Sequence, residues 1–192
     1  GDALTFDPTP EELHAPHYKL IANIPYYITG AILEKYLTYP NQPETMVVLV
    51  QKEVAERVCA KDGKESILSL SVKAYGTPSL VYRVSRGSFH PAPNVDSAVL
   101  QIENISRTKF DTQYHEAMFF KVVKAGFAHK RKILASNLQG IFVDVSIREL
   151  LATHNIPEKA RAEDVNLTSW LLLSRSLAQH TAPRVEKKGN DN

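Results

Sequence analysis

The chain has 192 residues, of which 43% are hydrophobic and 23% are charged, and its formal net charge is +2. This composition is typical of a soluble globular protein with material for one large domain or two small ones. No apolar run approaches the length of a membrane span, so we predict no association with a membrane. The only cysteine, Cys59, cannot form an internal disulfide, which favours a reducing compartment and predicts a cytoplasmic protein.

The two halves of the chain differ in charge. Residues 1–106 contain 9 Lys and Arg against 12 Asp and Glu, a balance of −3, whereas residues 107–192 contain 14 against 9, a balance of +5. A basic second half is what a surface that binds a polyanion would need. Ordinary scatter of surface charge is the alternative, and the difference alone does not predict nucleic-acid binding.

Residues 19–103 alternate between patterns typical of strands and of helices. The predicted strands are 19–22, 45–50, 79–84 and 97–102, and the predicted helices are 29–37, 52–60 and 66–75. This alternation predicts an α/β fold with a mostly parallel sheet and an antiparallel last strand. The last two strands are neighbours in the chain, and the Pro-rich loop Phe89-His90-Pro91-Ala92-Pro93 lies between them.

From about residue 107 only helical patterns remain. The predicted helices are 112–125, 128–139, 146–153 and 167–180. Asn166 is the predicted N-cap of the last helix, whose apolar side chains share one stripe. Residues 183–192 are polar and are predicted to be disordered. We therefore divide the chain into an α/β part at 1–106, a helical domain at 107–182 and a tail.

The segment Asn23-Ile24-Pro25-Tyr26 directly follows a predicted central strand, where α/β proteins collect ligand-binding residues. It matches the Asn-x-Pro-Tyr motif of methyltransferases that act on amino groups of nucleobases. An exocyclic adenine amine is a poor nucleophile, because its lone pair is delocalised into the ring. The Asn carbonyl and a backbone carbonyl before or at the rigid Pro can accept hydrogen bonds from both N–H groups, and Tyr26 offers a face for stacking. The alternative is an ordinary turn that ends a strand.

Other blocks carry a family resemblance over nearly the whole chain. They are Gly1-Asp2-Ala3-Leu4, Gln51-Lys52-Glu53-Val54, Leu68-Ser69-Leu70-Ser71-Val72, the block from Phe89 to Val99, the block from Phe127 to Leu134 with Asn137-Leu138, and Arg161-Ala162-Glu163-Asp164. With the tetrapeptide, they resemble the ribosomal small-subunit RNA adenine dimethyltransferases. That resemblance implies the C-terminal part of a Rossmann-like methyltransferase sheet, followed by a small all-helical domain.

The resemblance also implies the reaction and its residues. In that family S-adenosylmethionine is the methyl donor, and two adjacent adenines near the 3′ end of the small-subunit ribosomal RNA are each methylated twice on N6. The residues implied as catalytic are Asn23, Pro25, Tyr26 and Phe89, and those implied to bind the cofactor are Asp2, Ala3 and Asn23. The partner is then the immature small ribosomal subunit, and we predict a monomeric protein.

The sequence departs from the family at its start. A Rossmann-like methyltransferase begins with a strand, a Gly-rich loop and an acidic residue for the cofactor ribose. The 192 residues contain none of these, and they begin with Gly1, not Met. We therefore expect a piece of a longer enzyme whose cofactor site is incomplete and which binds S-adenosylmethionine weakly on its own. Two alternatives stay open: a catalytically silent ribosome-binding assembly factor, and a macrolide-resistance type methyltransferase of large-subunit RNA.

Basic side chains in the second half are candidates for contact with RNA phosphates. They are Lys121, Lys124, Lys130, Arg131 and Lys132, predicted to lie on two helices. A solvated helix face is the alternative. The seven histidines have no Cys partners and no helical i, i+4 pair, so we predict no metal site. Tyr27 replaces a common Asn of the family, at a position that is not expected to bind the amine.

Overall fold

The computed structural model describes residues 2–13, 17–60 and 63–181. The strands are β1 (Lys19–Asn23), β2 (Thr45–Gln51), β3 (Thr77–Val84) and β4 (Ser97–Glu103). The helices are α1 (Pro10–Leu13), α2 (Thr29–Thr38), α3 (Lys52–Val58), α4 (Ile67–Tyr75), α5 (Gln113–Gly126), α6 (Leu134–Gln139), α7 (Ile147–Thr153) and α8 (Leu167–Thr181). The predicted tail at 183–192 and Gly1 of the first resemblance block lie outside the described residues.

The four strands form one sheet in the order β1-β2-β4-β3. β1 and β2 are parallel, and β4 is antiparallel to both β2 and β3. Three strands therefore point one way and the last strand points the other way, which confirms the predicted α/β fold with an antiparallel last strand. Because β4 inserts between β2 and β3, only one of the three hydrogen-bonded pairs is parallel.

The two faces of this sheet differ in burial. One face carries fully buried side chains, among them Val48 in β2 and Leu100 in β4, which are paired across the sheet. Helix α3 packs on this face, where Glu56 pairs with Arg83 of β3 at 3.1 Å. The other face carries Ile21, which is 77% exposed, and Tyr82, which is 66% exposed. Asn23 shares this second face, since its register partner is Leu49.

The sheet region and the helices after residue 107 are joined around Tyr75. Its side chain is buried at the end of α4, and its hydroxyl donates to Glu116 of α5. Arg107 also contacts Glu116, and it donates to the carbonyl of Tyr39 at 3.1 Å. Burial, followed by the hydrogen bond to Glu116, raises the pKa of Tyr75 above its ordinary value. Buried side chains of both parts belong to one hydrophobic cluster, and the division at residue 106 stays a prediction.

Helices α5 and α8 form the tightest helical contact of the second part. Gly126 lies at the end of α5, where a Cβ atom would stand 2.4 Å from the ring of Trp170 and 2.8 Å from Leu134. Trp170 is fully buried on α8. The predicted N-cap of α8 is confirmed, because the Asn166 side chain accepts from the Ser169 amide at 2.9 Å. Only glycine permits this approach of helix to ring.

The prediction of one helix over 128–139 is wrong in its first half. Helix α6 begins at Leu134, and Lys130 lies in the turn that follows α5. The Asn137 amide donates to the carbonyls of Gly126 and His129, at 2.6 and 3.2 Å, and so holds this turn against α6. The bond to Gly126 satisfies a carbonyl at the end of α5, which would otherwise be left to water or to a continued helix, and the bond to His129 fixes the turn.

Candidate nucleobase site at the end of β1

The segment after β1 is a short rigid turn. Pro25 is extended, with φ −59° and ψ 134°, and Tyr26–Ile28 then form one turn of 3-10 helix that leads into α2. The Ile28 amide donates to the Pro25 carbonyl at 3.2 Å, and the Thr29 hydroxyl donates to the Tyr26 carbonyl at 3.0 Å. Because Pro fixes φ, these bonds hold the backbone of the segment in one conformation.

All four residues predicted to be catalytic line one cavity of about 350 Å³. Its walls are Asn23, Ile24, Pro25 and Tyr26 on one side and Phe89, Pro91 and Pro93 on the other. The Pro-rich loop, more than sixty positions later in the sequence, thus comes back to the end of β1. The cavity is open to solvent, and two half-buried aromatic rings, Tyr26 and Phe89, belong to its walls. Such a slot has the chemistry to hold a flat, extruded base.

Two residues of the lining carry acceptors that have no hydrogen-bond partner among the described residues. Within the part of the chain that the structure describes, the exposed Asn23 side chain makes no hydrogen bond, and the Ile24 carbonyl accepts none. The Pro25 carbonyl already accepts from Ile28. Of the two backbone carbonyls that the sequence left open, that of Ile24 is therefore the better candidate for the second N–H of an amine. The sequence showed the tetrapeptide but not which of its carbonyls would be free.

Two residues that the sequence did not single out connect the walls of the cavity. The Tyr26 hydroxyl is hydrogen-bonded to the hydroxyl of Ser97, the buried first residue of β4. Asp96 accepts from the Arg86 amide at 2.9 Å and so closes the base of the loop that carries Phe89. In the sequence, Asp96 and Ser97 are marked only by their position near the end of the block from Phe89 to Val99.

Asp2 and Ala3 do not line this cavity. The Asp2 carboxylate accepts from the Leu4 amide at 2.9 Å through one oxygen, and the Ala3 carbonyl accepts from the Tyr36 hydroxyl of α2 at 3.1 Å. The second carboxylate oxygen of Asp2 has no partner within the described ranges, and the residue is exposed. A free carboxylate oxygen fits an adenine amine donor, so Asp2 suits one edge of an S-adenosylmethionine site.

The five basic residues are exposed but do not form one cluster around the cavity, and none of them lines it. Lys121 stands 5.4 Å from the ring centre of Phe142, and Lys124 lines a groove formed by α2, α4 and α5. Lys130 lines a different cleft, beside Glu53 and Glu163. Arg131 and Lys132 are exposed in the same turn as Lys130. A contact with RNA at these residues would be a second surface, separate from the base slot.

In residues 2–13, 17–60 and 63–181, no three His, Cys, Asp or Glu side chains lie close enough together to hold a metal ion. None of the helices described for this chain is both long and apolar enough to cross a membrane.

Known proteins with a similar sequence act on a nucleobase of ribosomal RNA, in agreement with the geometry of the cavity. The family model for ribosomal RNA adenine dimethylase matches residues 1–179. A ribosomal RNA small subunit methyltransferase A of Dehalococcoides mccartyi is 43% identical over 166 residues, which are 84% of this chain and 57% of that protein. The protein of the same name from Fusobacterium nucleatum is 40% identical, over 81% of this chain and 60% of its own length.

Solved structures agree on the fold. The 23S rRNA methyltransferase ErmE superposes with a TM-score of 0.72 at 25% identity, over 92% of this chain and 70% of ErmE. A dimethyladenosine transferase from Plasmodium falciparum gives 0.69 at 21% identity, over 84% of this chain and 67% of its own. The chain spans between half and two thirds of the two bacterial relatives described above. It belongs to the ribosomal RNA adenine dimethylase family.

Proposed function

We propose that this chain is the target-base part of an S-adenosylmethionine-dependent enzyme that dimethylates N6 of two adjacent adenines near the 3′ end of small-subunit ribosomal RNA. The enzyme would act as a monomer on the immature small subunit in the cytoplasm. The observation that carries the proposal is the cavity lined by Asn23 and Ile24 together with the rings of Tyr26 and Phe89. The Asn23 side chain and the Ile24 carbonyl have no hydrogen-bond partner among the described residues. Membership of the family supports the reaction class.

The residues of the cavity act on the amine by hydrogen bonding and stacking. Asn23 and the Ile24 carbonyl accept from the two N–H groups of the adenine amine, which favours a pyramidal nitrogen with an available lone pair. Tyr26 and Phe89 hold the ring, so that the lone pair points in one direction. As the nitrogen gains positive charge, its proton becomes acidic, and no strong general base is needed. Fixed acceptors that face this developing charge lower the barrier.

On the cofactor side, Asp2, Ala3 and Asn23 are the residues of this chain that would contact S-adenosylmethionine. When bound, that cofactor supplies an electrophilic methyl group on a sulfonium sulfur. Asp2 would accept from the amine of the cofactor adenine through its free carboxylate oxygen. These residues form one edge of a site, since the 192 residues contain no Gly-rich phosphate- or ribose-binding loop.

We therefore expect the 192-residue chain to bind S-adenosylmethionine weakly or not at all. The same chain extended at its N-terminus to the length of its curated relatives should bind in the micromolar range. Isothermal titration of both forms checks this, with circular dichroism to show that each is folded. Micromolar binding by the 192-residue chain alone would contradict the expectation.

Ribosomal RNA would be held mainly through its phosphates. We propose that Lys121, Lys124, Lys130, Arg131 and Lys132 take part, because they are exposed and lie in the more basic half of the chain. The three residues of the turn at 130–132 are the most direct to test, since they are adjacent and none is in an ion pair with another described residue.

Charge reversal at Lys130, Arg131 and Lys132 should weaken binding to RNA and flatten its dependence on salt. Each lost phosphate contact should reduce the slope of log K against log salt by about 0.7 to 0.9. Filter binding across a salt series measures it, and Lys19→Glu, at the end of β1 remote from Asn23, is the single-charge control. An unchanged slope would mean that the turn is only a solvated surface.

One assay distinguishes the proposed function from the two alternatives, a methyltransferase of large-subunit RNA and a catalytically silent assembly factor. A tritium methyl-transfer assay should compare the N-terminally extended chain on unmethylated small and large subunits. Transfer to small subunits supports the proposal, and transfer to large subunits would support the macrolide-resistance type. Binding to small subunits without any transfer would support a silent assembly factor. The identities of 43% and 40% to small-subunit enzymes, against 25% to ErmE, favour the first outcome.

A further inference from the structure

Ser97 stands where the two walls of the base cavity meet. It is the first residue of β4, its side chain is fully buried, and its hydroxyl is hydrogen-bonded to that of Tyr26. Neither hydroxyl has another hydrogen-bond partner among the described residues. The Ser97 hydroxyl is therefore placed to restrain the orientation of the Tyr26 side chain.

The loop that precedes Ser97 is fixed at its base. Asp96 accepts from the Arg86 amide through its carboxylate at 2.9 Å, and its carbonyl accepts from the Lys52 amide at 3.0 Å. Phe89 lies inside the segment that the bond between Arg86 and Asp96 closes. The wall that carries Phe89 is thus tied to the start of α3, and the next residue along the chain is Ser97.

Tyr26 is held at both ends. Its carbonyl accepts from the Thr29 hydroxyl at 3.0 Å, and its hydroxyl is bonded to Ser97. Without the second bond, the half-buried ring could turn about its side-chain torsions into the open cavity. With it, the ring is fixed relative to the residue that ends the loop of Phe89. The position of the Tyr26 ring then depends on the position of the loop that carries Phe89.

We infer that Ser97 is a positioning residue, which holds the Tyr26 ring against the Phe89 wall and so sets the width of the slot for the target adenine. The inference rests on the proposed function. Ser97 itself does not line the cavity, so its effect on the reaction passes through Tyr26.

The reciprocal variants Ser97→Ala and Tyr26→Phe each remove this one hydrogen bond and keep the aromatic ring. In the N-terminally extended chain, each should lower kcat for methyl transfer by about 3- to 10-fold, the range expected for one net hydrogen bond. The KM for small subunits should stay unchanged, because phosphate contacts carry most of that affinity. The double variant should be no slower than either single one, since both remove the same interaction.

Several outcomes would overturn the inference. One is Ser97→Ala at the wild-type kcat, and another is a double variant whose defect is the product of the two single defects. Thermal unfolding of each variant shows whether it folds, and Tyr26→Phe, at a half-buried ring, tests the same bond if Ser97→Ala does not fold. Absence of transfer by the unsubstituted extended chain is a different result. It would contradict the proposed function, and therefore also this inference.

Discussion

Asn23→Ala should all but abolish methyl transfer in the N-terminally extended chain and leave its stability and subunit binding intact. The side chain is exposed and makes no hydrogen bond to a described residue, so its removal should change the free energy of unfolding by less than about 0.5 kcal/mol. Its proposed task is to accept a hydrogen bond from the amine as charge develops. Loss of one such fixed group lowers a rate by about 10² to 10³-fold.

The measurement is tritium transfer to unmethylated small subunits, alongside a pull-down of the same subunits. Asn94→Ala is the matched control, since Asn94 is exposed in the Phe89 loop but does not line the cavity. Its rate should equal that of the unsubstituted chain. Activity retained by Asn23→Ala would remove the central residue from the proposed mechanism.

Gly126→Ala should destabilise the chain by about 1 to 3 kcal/mol, the usual cost of an added methyl group in a packed interior. The new Cβ would lie 2.4 Å from the Trp170 ring and 2.8 Å from Leu134, and both of these side chains are fully buried. Neither helix can move away without exposing the ring. For a chain of this size, the melting temperature should fall by about 2 to 12 °C.

Thermal unfolding by circular dichroism measures this effect, and Gly140→Ala is the control. Gly140 is exposed with helical φ of −66° and ψ of −17°, and its nearest atom would lie 3.8 Å from an added Cβ. Alanine there should be neutral, or stabilising by about 0.4 to 1 kcal/mol through the unfolded state. Equal melting temperatures for the two variants would mean that the contact at Gly126 is loose.

The sequence predicts the site better than it predicts the bonds that hold it. Asn23 and Phe89 belong to recognisable blocks, and the rule that strand ends carry function places the first of them. The contact of Tyr26 with Ser97 joins residues 71 positions apart, and it depends on β4 inserting beside β2. No periodicity encodes that insertion. The free carbonyl of Ile24 likewise follows from the turn that Ile28 closes.

The helical part shows the same limit. α5, α7 and α8 agree with the predicted helices to within a residue or two, because each buries a regular apolar stripe. The sequence does not predict the turn at 130–132, since nothing local breaks the helical pattern there. Bonds from Asn137, and from the Leu134 amide to the Ala160 carbonyl at 2.8 Å, end one helix and start the next. Tertiary contacts here override propensity.

The burial of Trp170 gives this protein a built-in optical reporter. It is the only tryptophan of the chain, it is fully shielded from water, and it stacks on Phe127 with 5.9 Å between ring centres. Its emission should therefore be blue-shifted and should follow the packing of α5 against α8, with no contribution from the base cavity, whose aromatic residues are tyrosine and phenylalanine. A cavity variant that leaves this emission unchanged has altered the chemistry without loosening the helices.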